Sequence, residues 1–238
     1  MIYKYLNISI FLFFMISCSA SQEDLIKAAK TKLDEESYNK AIEYLDQAIS
    51  SENNNAETYN MRGVAYFSLA AYQEAIQDFS SAILIDSINY KPYYNRGNSH
   101  LNLKEFAKAL IDYNLAIAYL PNNADLYINR AIVLFELKQF KMAITDYEFA
   151  IKLAPNNYLA FLNKAKTHIQ IGEFTVAEEI LSHTLKLNSQ GAEPYYWLGF
   201  IHLNTGREIS GCDYLTKAKN RGFKDADEAI EKFCNQNS

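Results

Sequence analysis

The stretch "YYNRGNSHLNL", Tyr93–Leu103, sets an amide, a guanidinium, a glycine and an imidazole within the six residues Asn95 to His100. Alone it has the look of a small ligand-binding cluster. Sliding the chain along itself shows one period, 34 residues, with "NMRGVAY" (60–66), "YNRGNSH" (94–100), "INRAIVL" (128–134) and "LNKAKTH" (162–168) in register. Behind each comes a second block: "YQEAIQDFSSAI", "FAKALIDYNLAI", "FKMAITDYEFAI" and the looser "FTVAEEILSHTL". Pro121 and Pro155 keep the same spacing in "LPNNA" and "APNNY", where a Pro-Asn-Asn turn ends a unit. The opening stretch is one tooth of a stacked array, in which each unit buries its face against the next.

Within each unit, apolar residues recur at helical spacing in two runs joined by links such as "LAAYQE" or "LKEFAK". This helix-turn-helix unit resembles the tetratricopeptide repeat (TPR), whose pattern joins an aromatic, a Gly/Ala, a second Ala, an aromatic and a third Ala at set offsets. The third unit supplies Tyr93, Gly97, Ala109, Tyr113, Ala116 and Pro121 at those places. Gly63, Gly97 and Gly199, with Ala75, Ala109 and Ala143, let paired helices approach at about 8–10 Å. The resemblance implies an all-α, right-handed α-α superhelix of six units, 22–55, 56–89, 90–123, 124–157, 158–191 and 192–225, with a capping helix and tail over 226–238. The first unit keeps only Tyr38, Ala41, Leu45 and Ala48, and the sixth has Gly211 where Ala is usual. Such degeneracy suits terminal repeats, which face water on one side.

Composition agrees. The 238 residues hold only 8 Gly and 4 Pro, so helices with short connections are expected. A net charge of −5 with no basic run leaves no stripe to neutralise nucleic-acid phosphates.

The first residues belong to another class. "MIYKYLNISIFLFFMISCSA" has an early Lys4 and a short apolar run, which suits a secretory signal better than a membrane span of about 20 apolar residues. Its end, "MISC", resembles the bacterial lipobox, although Met15 and Ile16 are bulkier than usual there. That resemblance implies a signal peptide over 1–17, a lipidated Cys18 and a short tether over 18–21. Several acyl chains at ~0.8 kcal/mol per buried methylene make a lasting anchor. The alternative is an ordinary signal cleaved after Ala20.

The repeats test their own polar residues. Arg62, Arg96 and Arg130 form one column, and Asp78, Asp112 and Asp146 form another. Where Lys164 and Leu198 replace Arg, Ile180 and Tyr214 replace Asp. Each Arg is therefore expected to pair with the Asp of its own unit, fixing register more than stability. The competing reading is an arginine that reaches for a ligand. His100, His168 and His202 share a third column, but repeats stack ~10 Å apart, too far to share a zinc through ~2 Å bonds. They are expected in the core, and no metal site is expected.

Asn95, Asn129 and Asn163 precede the Arg column by one residue and turn about 100° away from it. In TPR proteins the first helices line a concave groove, and this column resembles the asparagine ladder that clamps an extended peptide in some of them. Rungs ~10 Å apart match about three extended residues at ~3.3 Å each. Three hydrogen bonds netting about 0.5–1.5 kcal/mol each fall short of the ~8 kcal/mol of a micromolar complex. Tyr94, Asn98, Leu101, Asn102, Phe135, Glu136, Gln170 and Asn204 are the groove residues expected to supply the rest. The bland alternative is that Asn is merely tolerated there. The carboxylate clamp that grips acidic chaperone tails is absent: Lys91 is present, but Asn95 stands in place of its Arg.

Cys212 and Cys234 lie eleven residues to either side of Phe223, so an antiparallel hairpin would set them level for a disulfide. The alternative is a free buried pair. No nucleophile elbow, phosphate loop or metal-spaced His/Glu motif occurs, and neither an enzyme nor a cofactor is expected. The expected function is a TPR scaffold in the bacterial cell envelope, anchored by lipid on the outer membrane or periplasmic face. It would hold a protein or extended peptide in its groove, with no nucleic acid and no membrane contact beyond the anchor. The alternative is an architectural subunit of a pilus, outer-membrane protein insertion or export machinery, docking by its convex face or ends.

Overall fold

A computed structural model describes residues 21–51 and 54–234. The signal segment 1–17, Cys18 with the first part of its tether, and the tail 235–238 lie outside the described residues. Among the described residues there are thirteen helices and no strand. The first helices of the six units are α1 (Gln22–Asp34), α3 (Ala56–Ser68), α5 (Tyr90–Asn102), α7 (Ala124–Glu136), α9 (Tyr158–Gln170) and α11 (Ala192–Asn204). Their partners are α2 (Tyr38–Ser51), α4 (Tyr72–Ile85), α6 (Phe106–Tyr119), α8 (Phe140–Leu153), α10 (Phe174–Leu187) and α12 (Glu208–Asn220), and α13 (Asp225–Phe233) follows. The fold is the all-α superhelix that the period implies.

Local chemistry explains why each helix starts and stops. Asn55, Asn89, Asn123 and Asn157 are N-caps, their side-chain oxygens accepting the N–H of Thr58, Lys91, Asp125 and Ala160. The Asn that ends each turn is thus the residue that begins the next unit. At the other end of the first helices, Ala71 N–H donates to the Tyr66 carbonyl at 2.9 Å and Ala70 N–H to Phe67 at 2.9 Å, and the later units repeat this closure.

That closure needs one left-handed residue per unit. Gly172 and Gly206 fill the place comfortably, but Glu36, Ala70, Lys104 and Lys138 hold it at φ of 55–59°. A side chain in this region costs about 1–2 kcal/mol, partly offset by the extra freedom that glycine brings to the unfolded chain. Lys104→Gly and Lys138→Gly are each expected to stabilise the protein by about 0.5–1 kcal/mol, read from urea midpoints. Gly172→Ala, whose new Cβ would meet nothing within 4 Å, should lose a similar amount through backbone strain alone.

Packing inside a hairpin is set by the small columns. Ala41, Ala75, Ala109, Ala143 and Ala177 are fully buried, as are Phe79, Tyr113 and Leu181. At Gly63 the approach is closest: a Cβ there would sit 2.6 Å from the Phe79 ring. At Gly211 the usual Ala is excluded because its Cβ would lie 2.9 Å from Leu203. Consecutive first helices also touch one another, as α3 does α5 and α7 does α9, whereas among the described residues no two consecutive second helices touch to the same extent. The first helices therefore form the inner, concave side.

Candidate functional site

The Arg column faces between repeats rather than into the groove. Arg62 donates from Nε and Nη2 to Asp78 at 2.8 and 2.6 Å, and from Nη1 to Asp46 of the preceding unit at 2.6 Å. Arg96 does the same with Asp112 and Ser80, and Arg130 with Asp146 and Asn114. In the fifth unit Lys164 keeps only the backward contact, to Glu148 at 2.8 Å. Each guanidinium also lies over the Tyr one turn before it. These residues are structural: each staples three helices. Burial lifts the Asp78 carboxyl above its ordinary value although Arg62 pulls it down, while the Arg62 guanidinium is held up by Asp78.

The histidines are buried, but they are not merely apolar filling. His100 Nδ1 lies 2.6 Å from Glu105, His168 Nδ1 2.6 Å from Glu173, and His202 Nε2 3.0 Å from Glu178. Each ties the end of a first helix to a carboxylate nearby. Among the described residues no group of three or more His, Cys, Asp or Glu could hold a metal.

Cavities recur on the concave side, where successive inner helices meet. One of about 460 Å³ is lined by Asn60, Met61 and Lys91 among others, and one of about 300 Å³ by Lys91, Tyr94, Asn95 and Asp125. A smaller one, about 150 Å³, is walled by Ile132, Phe135, Glu136, Tyr147, Asn163 and Lys166. Lys166 is held by Glu193 at 2.9 Å and lies over Trp197, whose indole N–H donates to the same carboxylate.

The asparagine column lies along this surface, but it is not a row of free amides. Asn95 donates to the Asn60 side chain at 3.0 Å, and Asn129 donates to the Tyr94 hydroxyl and to Asn98 Oδ1, both at 3.1 Å. Asn98 also accepts from Tyr113 at 2.6 Å. Asn129 therefore has both amide hydrogens committed and keeps its carbonyl for a ligand. Asn163 has no side-chain hydrogen bond among the described residues. Asn102 donates to the Asn98 backbone carbonyl, Asn204 to that of Phe200, and Phe135 rests edge-on against Phe140. Gln170 and Glu136 are exposed at the groove edge.

Sequence reasoning missed Tyr147 and Lys166. Tyr147 reads as core by its column, which it is, yet its buried side chain also forms part of a cavity wall. At the far end, Cys212 and Cys234 are joined by a disulfide with Cα atoms 5.8 Å apart, and α13 packs on α12.

Models of the tetratricopeptide repeat match residues 26–91, 90–123 and 124–157, together more than half of the chain. No curated protein matches it by sequence. Among solved structures, PilW, described as a widely conserved type IV pilus biogenesis factor, superposes with a TM-score of 0.78 at 18% identity, over 88% of this chain and 98% of that one. The pilF product of Pseudomonas aeruginosa gives 0.74 at 16% identity, over 89% and 97%. YrrB, described as a TPR protein with an unusual peptide-binding site, gives 0.64 at 20% identity, over 79% and 97%. At these identities the likeness is one of fold.

Proposed function

The chain belongs to the tetratricopeptide-repeat family, and from that premise we propose that it is a non-catalytic scaffold of the bacterial envelope, tethered by lipid on Cys18, that holds an extended peptide segment of a protein partner in its concave groove. The observation that carries this reading is the chemistry of the inner face. Its cavities combine apolar floors with polar groups that keep hydrogen-bonding capacity: the carbonyl of Asn129, the whole amide of Asn163 and the exposed carboxylate of Glu136. Alternating side chains of an extended strand would enter such cavities while its backbone meets the amides. The signal-like first residues and the fold shared with PilW and pilF support placement in the envelope.

A second reading has its own observation. The outer face of α6 and α8 exposes Ile111, Leu115, Met142 and Phe149, a cluster suited to docking in a fixed assembly. The two readings separate in one experiment, in which a photo-crosslinking residue replaces Phe135 in the groove or Met142 on the convex side of the full chain in cells. We expect the partner to crosslink from position 135. Crosslinks from 142 alone would overturn the groove reading in favour of the architectural one. Fractionation of the same cells with Cys18→Ser checks the anchor, whose loss should move the protein out of the membrane fraction.

A further inference from the structure

Two successive junctions of the groove carry the same two donors, and only one of them carries the acceptor. Where α5, α6 and α7 meet, the side-chain carbonyl of Asn98 accepts from the Tyr113 hydroxyl at 2.6 Å and from the Asn129 amide at 3.1 Å. One period later, Tyr147 and Asn163 occupy the places of Tyr113 and Asn129, and Ile132 occupies the place of Asn98. Neither the Tyr147 hydroxyl nor the Asn163 amide has a hydrogen-bond partner among the described residues. Tyr147 is only 1% exposed, and it lines the 150 Å³ cavity together with Asn163. The ring of Tyr147 is enclosed while its hydroxyl is not among the fully enclosed atoms that lack a partner, so a donor on a rigidly held side chain stays open to a ligand in the cavity, beside the second unmatched donor of Asn163.

We propose that this cavity is a recognition pocket for a primary carboxamide, the side chain of an Asn or Gln in the bound peptide. The proposal rests on the groove reading above and names what one position of the peptide must be. The incoming carbonyl takes the role that Asn98 plays one unit earlier, accepting from Tyr147 and Asn163. Its NH₂ group donates to Glu136 at the rim. Ile132 and Phe135 supply apolar walls for the methylenes.

The neighbours exclude the nearest alternatives. A carboxylate side chain would meet Glu136, while the Lys166 ammonium is already neutralised by Glu193. An aliphatic side chain would fit the walls but leave Tyr147 and Asn163 unmatched in a desolvated place. A site built to hydrogen-bond its ligand rejects analogues that lack the partner group. Burial, with the Asp146 and Glu136 carboxylates nearby, holds the Tyr147 phenol above its ordinary value, so it stays a donor at neutral pH.

The test uses the full chain in detergent and three pentapeptides blocked at both ends, Ala-Ala-X-Ala-Ala with X as Gln, Glu or Leu. Affinities are read by saturation-transfer NMR on the peptide, which detects weak binding. The Gln peptide is expected to bind about tenfold more tightly than the other two, the worth of roughly one net hydrogen bond. Tyr147→Phe should remove most of that preference while keeping the fold, since Phe79 fills the same column in the second unit. Ile132→Asn places the missing acceptor inside the pocket, as Asn98 does in its own unit, and should abolish the preference. Equal binding of the Gln and Leu peptides, or a Gln preference that survives both variants, overturns the proposal. If position 135 crosslinks a partner while the three peptides bind alike, the carboxamide pocket falls and the groove reading stands.

Discussion

Asp112→Ala is expected to destabilise the protein by about 3 kcal/mol in urea or thermal unfolding. The Asp112 side chain is 3% exposed and accepts two hydrogen bonds from Arg96, at 2.9 and 2.7 Å. Its removal leaves a guanidinium with two unmatched donors between α5 and α6. Breaking a buried pair from one side costs about 3–5 kcal/mol, and the 21% exposure of the Arg96 side chain places this case at the low end. Arg96→Met together with Asp112→Leu is the informative control. Apolar replacement of both partners is expected to return stability to within about 1 kcal/mol of the parent. A double variant as unstable as Asp112→Ala would show instead that the pair itself is a net source of stability.

The equivalent pair at Arg62 supports the register role. Burial raises the Asp78 carboxyl above its ordinary value. A group raised in the folded state contributes stability that is present below its unfolded value and lost as pH rises through the raised one. At neutral pH that carboxylate is therefore a net desolvation cost, tolerated because it locks the two helices of one unit to the unit before it.

Removing the disulfide should have an effect of similar size but a different reach. Cys212 and Cys234 are separated by 22 residues, and closing a loop of that length is worth about 3 kcal/mol in chain entropy. Cys212→Ser with Cys234→Ser is expected to lose that amount at the C-terminal end, because among the described residues α13 packs chiefly on α12. Hydrogen exchange should show α13 losing protection while α3 to α8 keep theirs. Loss of protection through all the units would show that the cap holds the array cooperatively, as nearest-neighbour coupling between repeats allows.

Much of the fold was legible because a repeat is its own alignment. The loss of Asp at Ile180 together with the loss of Arg at Lys164 identified the pairing partner without any second sequence. The third arm of each Arg, to Asp46, Ser80 or Asn114, went unread, although those acceptors also stand 34 residues apart. The signal is a third polar column, sixteen residues before each Arg and varied in residue type, so it lacks the paired loss that links Arg to Asp. The histidine column was correctly expected to be buried, but its carboxylate partners come from the following turn for His100 and His168 and from α10 of the preceding unit for His202, which helical spacing does not reach.

By itself the sequence determined the period, the two-helix unit with its Pro-Asn-Asn turn, the small columns that set helix approach, and which polar columns share a face of the first helices. These follow from local propensity and from spacing along one helix or between adjacent units. Only the tertiary structure decided which polar side chains on that face remain available. Asn95, Asn129 and Asn163 are equivalent by spacing, yet two are bonded to neighbours on the preceding inner helix and one is not. The difference arises where three helices converge, because a hydrogen bond depends on what stands opposite: Asn98 at one junction and Ile132 at the next.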